Sequence, residues 1–147
     1  MGDLPSAVLF CCTLNSVRSP MAEGLMKRVH GKRIFVDSVG VRPGYLDPFM
    51  VAVMEEVGVD LRRHIPKVFE QLEDESFDFV VSLSPEAQHK AVELTRTNAC
   101  EVEFWPTFDP SLVEGNRENR LDAYRQVRDD LMTHILKRFP PGGMARE

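Results

Sequence analysis

The chain has 147 residues, 43% of them hydrophobic, and 18 Lys and Arg stand against 23 Asp and Glu for a formal net charge of -5. That length suits one domain spanning 1-147, which would bury roughly 68 to 70% of the surface its unfolded chain exposes. The acidic balance argues against a nucleic-acid partner, no apolar run approaches the ~18 residues that span a bilayer, and three cysteines are too few and too odd for a disulfide framework.

Residues 1-6 read as a polar lead-in, expected to fray, without the charged-then-apolar pattern of a secretion signal. A cytoplasmic, reducing location is the expectation, and it would keep a reactive cysteine free. Ala7, Val8, Leu9 and Phe10 then read as a short buried strand, with a loop starting at Cys12. Ser19-Pro20 opens a helix whose apolar positions Met21, Leu25, Met26 and Val29 share a face, and Gly31 ends it.

The second strand is expected over Arg33 to Ser38, running out at Gly40. Arg42-Pro43-Gly44-Tyr45 is a loop by composition, and Asp47-Pro48 supplies a cap and first-position proline for a helix running towards Gly58. A short helix is expected near Pro66 to Leu72 and a third strand over Phe77 to Leu83. Ser84-Pro85 opens a helix turning Ala87, Ala91 and Val92 inward, and a fourth strand follows at Cys100 to Phe104. A long amphipathic helix over Arg117 to Phe139 carries Leu121, Tyr124, Leu131, Ile135 and Phe139 on one stripe, and the tail over 141-147 is expected to fray. Strands alternating with helices predict an α/β chain: a doubly wound, four-stranded parallel sheet with helices on both faces.

Between the first strand and the first helix lies Cys12-Thr13-Leu14-Asn15-Ser16-Val17-Arg18-Ser19, a Cys followed six positions later by Arg and then Ser. The amides of such a loop and of the helix's first turn converge as an anion cradle, with Thr13, Leu14, Asn15, Ser16 and Val17 around a phosphate-shaped ligand. A helix N-terminus and a nearby Arg favour the thiolate form of a cysteine, the form that acts as a nucleophile. Arg18 can hold two phosphoryl oxygens bidentately, Ser19 can donate its hydroxyl to Cys12 sulfur, and Asn15 tolerates the left-handed backbone a tight loop needs. Cys11, its neighbour on the strand, points to the opposite face and reads as core.

The run resembles the phosphate-binding loop of the low-molecular-weight protein tyrosine phosphatases and the arsenate reductases that share their fold. Their N-terminal pattern is strand, C-x5-R-S, helix. The resemblance implies strand order 2-1-3-4, Cys12 as nucleophile, Arg18 as phosphate clamp and Asp109, in Phe108-Asp109-Pro110, as general acid. Read without it, Asp109 is a common Asp-Pro turn. The resemblance also places Ser38 as a brace for Asn15 and His64 close behind the site; a strand-end hydroxyl and a structural histidine are the plain alternatives. It implies no metal and no cofactor.

Four departures bear on function. Leu14 stands where the phosphatases have Gly, and Val17 replaces a second loop cysteine. Ser111-Leu112 takes the place of aromatic residues that line a phosphotyrosine pocket. Ser84 occupies the first relay position of the thioredoxin-coupled reductases, and Cys100 lies too far along to match the second. The implied activity is phosphomonoester hydrolysis, with phosphotyrosine protein among the substrates. The alternatives are an arsenate reductase using an external small thiol and a non-catalytic phosphate or phosphoprotein binding module.

Overall fold

Along a strand successive side chains point to opposite faces, and the first strand uses that alternation to build two cores. In the computed structural model, which describes residues 4-73 and 76-142, Val8, Phe10 and Cys12 face one apolar cluster while Leu9 and Cys11 face another. The four strands are β1 (Ala7–Cys12), β2 (Phe35–Gly40), β3 (Phe79–Ser82) and β4 (Glu101–Phe104), all parallel in the order β2-β1-β3-β4. The predicted topology therefore stands. β1 runs two residues past Phe10 because Cys11 and Cys12 still pair with Val39 and Gly40.

Three helices cover the first face: α1 (Arg18–His30), α2 (Pro48–Glu55) and α4 (Arg117–Arg138). The other face is covered by α3 (Pro85–Leu94) and a 3-10 turn at Phe69–Gln71, the remnant of the helix expected near Pro66 to Leu72. Asp47 and Ser84 cap α2 and α3 with Pro at the first position, as the sequence predicts. The stripe of α4 from Leu121 to Phe139 is buried throughout. α3 differs from expectation at one residue. Ala87 and Ala91, four apart, face the sheet, whereas Val92, one step further round the helix, is 45% exposed.

The lead-in is also better held than expected. Leu4 packs against the first cluster, and the Ser6 and Ala7 amides donate to the Asp78 carboxylate at 3.0 and 2.9 Å. Residues 1-3 and 143-147, where the rest of the expected fraying falls, lie outside the described residues. Among the described residues no helix is long and apolar enough to cross a membrane. Parallel strands bring Cys12, Gly40, Ser82 and Phe104 to one rim of the sheet, and ligands in open α/β sheets bind at that carboxyl rim.

Candidate functional site

Residue 15 is where the loop after β1 turns. Asn15 has φ 56°, and it is the one non-glycine residue with positive φ among those described. Asn adopts this left-handed conformation more readily than most residues. Its side chain is fully buried and fully satisfied: Nδ2 donates to Ser19 Oγ at 2.8 Å and to Ser38 Oγ at 3.0 Å, while Oδ1 accepts the Lys67 amide at 3.0 Å. The structure thus joins Asn15 to Ser38 across 23 residues, and Ser38 in turn donates to Glu23 Oε1 at 2.6 Å. His64 Nε2 lies 2.9 Å from the Asn15 carbonyl, which can only accept, so that nitrogen carries the proton and braces the loop backbone.

Cys12 sulfur sits inside this loop, 2% exposed, with Ser19 Oγ at 2.9 Å and the Ser19 amide donating at 3.4 Å. Among the described residues the amides of Leu14, Asn15, Ser16 and Val17 donate to no protein acceptor. Ser16 Oγ is buried without a protein partner as well. Unpaired buried donors are costly, and successive amides without a protein acceptor, in the loop that carries the Cys12 sulfur, suit an oxyanion. Thr13 faces the other way, donating to Ser84 Oγ at 3.0 Å, so Ser84, the N-cap of α3, supports the loop.

Leu14 does not crowd the loop: its side chain is 40% exposed and lines the cavity above Cys12. The compensation lies at Gly44, where a Cβ would fall 2.8 Å from Leu14 Cβ and 2.2 Å from Ser16 Oγ. Gly40 presses equally close, since a Cβ there would sit 2.7 Å from the Asn15 amide nitrogen.

Arg18 and Asp109 meet at the same cavity, with NH2 of Arg18 3.8 Å from Asp109 Oδ2 and NH1 donating to the Thr107 carbonyl at 3.0 Å. Asp109 Oδ1 accepts the Ser111 amide at 3.0 Å and hydroxyl at 2.7 Å, capping the 3-10 turn Pro110–Leu112. Asp109 is therefore both a turn aspartate and a cavity carboxylate.

The cavity is about 570 Å³, and much of its wall comes from residues the sequence did not single out as site residues: the apolar Tyr45, Leu46 and Phe49, with Arg120 and Tyr124 from α4. The Tyr124 hydroxyl donates to Asp47 Oδ2 at 2.7 Å; burial and that carboxylate push its pKa up. A tyrosine on an apolar helical stripe carries no signal that its hydroxyl ends at a cavity. The other two thiols lie elsewhere. Burial first, then proximity to Cys12, pushes the Cys11 thiol well up, and Cys100, also raised by burial, lines a separate small apolar pocket with Phe69, Leu72 and Phe77.

A family model described as low molecular weight phosphotyrosine protein phosphatase matches residues 7-137. An arsenate reductase of Shouchella clausii is 35% identical over 130 residues, covering 88% of this chain and 92% of that protein. Among solved structures, an arsenate reductase in the phosphate binding state is 27% identical with a TM-score of 0.69, covering 91% of this chain and 96% of the other. A low molecular weight protein tyrosine phosphatase from T. tengcongensis is 25% identical with a TM-score of 0.74, covering 90% of this chain and 96% of the other.

Proposed function

The chain belongs to the low molecular weight phosphotyrosine protein phosphatase family, a family of cysteine-based enzymes, and we propose that it hydrolyses phosphomonoesters through a phosphocysteine at Cys12. The observation that carries this reading is that Cys12, the one thiol among the lining residues, shares its cavity with the Asp109 carboxylate, which has Arg18 beside it. A reductase relay would need a second thiol there. A phosphomonoesterase needs an acid.

In this mechanism the Cys12 thiolate attacks phosphorus in line, the ester P–O bond breaks, and Asp109 gives its proton to the leaving oxygen. Water then attacks the phosphocysteine, passing a proton to the Asp109 carboxylate and releasing phosphate and the thiolate. Loop amides and Arg18 hold the equatorial oxygens in both steps, where charge accumulates. Leu14, Asn15, Ser16, Val17 and Ser19 shape the cradle; Thr13, expected among them, instead ties the loop to Ser84, and Ser38 and His64 keep Asn15 in place. Leu14, Tyr45, Leu46 and Phe49 offer an apolar wall to an aryl leaving group, which supports phosphotyrosine among the substrates although Ser111 and Leu112 are not aromatic.

The 35% identical relative named arsenate reductase favours a second reading of the same loop. In it Cys12 displaces water from arsenate, and an external small thiol attacks Cys12 sulfur. Two thiols lose two electrons to a disulfide, and arsenic departs as arsenite. Turnover of p-nitrophenyl phosphate by the purified protein, with and without added thiol and arsenate, separates the readings. Thiol-independent hydrolysis lost in Cys12→Ser is the expected result; thiol-dependent arsenate consumption without hydrolysis would replace it with the reductase, and phosphate binding with neither activity with a binding module.

A further inference from the structure

The cavity above Cys12 has a positive wall that the hydrolytic steps leave unused. Arg120, half-buried, lines it with its guanidinium carbon 4.6 Å from the centroid of the Phe49 ring, and exposed Arg117 stands over the same ring at 5.2 Å. Neither has a carboxylate within ion-pair distance among the described residues. The nearby acids are engaged elsewhere. Glu118 and Asp122 bond to Arg125 at 2.7 and 2.5 Å, Asp47 accepts the Phe49 amide and the Tyr124 hydroxyl, and Asp109 accepts from Ser111 beside Arg18. Two arginines in the first turn of α4 do not help the helix either, because its dipole favours acids there. They add positive charge without an ion-pair partner of its own at the mouth of a phosphate site, in a chain of net charge -5.

We propose that Arg120 and Arg117 recognise a second anionic group on the substrate and select phosphopeptides with acidic residues beside the phosphorylated one. Phe49 stacks against both guanidinium groups and holds them at the cavity wall. A peptide fits better than a small enclosed metabolite, because Tyr45 in the wall and Phe108 and Leu112 flanking Asp109 are 90%, 59% and 70% exposed, an open apolar margin suited to a chain lying across it. The proposal rests on the phosphomonoester reading of the same cavity.

The test reads binding, so that it does not depend on turnover. Affinities of Cys12→Ser protein for phosphotyrosine peptides flanked by Glu or by Lys are compared by calorimetry. Glu flanks should bind about three- to tenfold tighter, the sum of two partly screened charge contacts. The ratio should shrink at about 1 M salt, where charges are screened within about 3 Å. It should fall towards one in Arg117→Met/Arg120→Met, which keeps apolar packing on Phe49, and invert in Arg120→Glu. If the double variant does not fold, Arg117→Met alone, at an exposed position, should lose part of the ratio. Equal affinities, a ratio that survives the double variant, or no peptide binding by protein that still binds inorganic phosphate would overturn the proposal. A purely structural role would weaken both peptides equally. An intact Glu preference in a protein that hydrolyses no phosphoester would instead count against the phosphatase reading alone.

Discussion

Ser19 Oγ lies 2.9 Å from Cys12 Sγ, and Asn15 fixes the direction of that bond. Because Asn15 Nδ2 donates to Ser19 Oγ, the hydroxyl proton is left to point at the sulfur, the Val39 carbonyl being a longer alternative at 3.4 Å. Ser19 is thus placed to donate to the Cys12 sulfur. Ser19→Ala should slow iodoacetate alkylation of Cys12 at neutral pH by about tenfold, the equivalent of one hydrogen bond to a charged group. An unchanged alkylation rate would mean that the proton points to Val39.

The three thiols should separate cleanly by reactivity. Cys12 should take iodoacetate first, with protection by inorganic phosphate, while buried Cys11 and the half-buried Cys100 react only on unfolding. Mass spectrometry of the labelled peptides checks this, and labelling that starts at Cys100 would contradict it.

Arg18→Lys should fail as a conservative change. An ammonium cannot make two parallel bonds to phosphoryl oxygens, nor keep both the Thr107 carbonyl and Asp109 contacts of the guanidinium. Phosphate affinity and kcat should fall together. Near-normal kinetics would remove Arg18 from the clamp.

Asp109→Asn should spare the turn, because an amide oxygen can still accept from the Ser111 amide and hydroxyl. Competitive inhibition by phosphate should therefore change little while kcat drops by about 10² to 10⁴. The loss should grow with the pKa of the leaving group, since a nitrophenolate departs unprotonated and an alkoxide does not. A uniform small loss would assign Asp109 to the turn alone and make Asp47 the next carboxylate to test.

The link between α2 and α4 should be acid-sensitive. Glu56 accepts from Arg125 and Arg128, and chiefly the Arg125 bond holds its carboxyl down to about 2. A lowered carboxyl stabilises the fold above its unfolded range near 4.5 and loses that contribution as pH falls towards 2. Glu56→Gln should cost about 2 to 4 °C in Tm at neutral pH, as a partly exposed pair does, with the gap closing between roughly pH 4.5 and 2. A gap independent of pH would locate the loss in packing.

Much of the site was legible because it is local. The Cys12-to-Ser19 spacing, the left-handed Asn15, the opposite faces of Cys11 and Cys12 and the capped starts of α2 and α3 all follow from steric and hydrogen-bonding rules acting within a few residues. The inward Val92 was misread, since an apolar residue near a helical stripe carries no mark of how wide a face the sheet needs to cover. The anchoring of residues 4-6 was missed because it depends on Asp78, some 70 residues away.

From the sequence alone, chain order, strand alternation and the phosphate loop were determined, since each depends on the chain's own backbone geometry. Which residues would stand opposite that loop was decided only by tertiary packing. Arg18 reaches Thr107 across 89 residues and Tyr124 reaches Asp47 across 77, and Gly44 makes the room that Leu14 needs. Contacts of that span depend on how separate elements settle against one another, as α4 does against α1 and α2, and hydrophobic burial, being non-directional, sets that arrangement without leaving a local pattern to read.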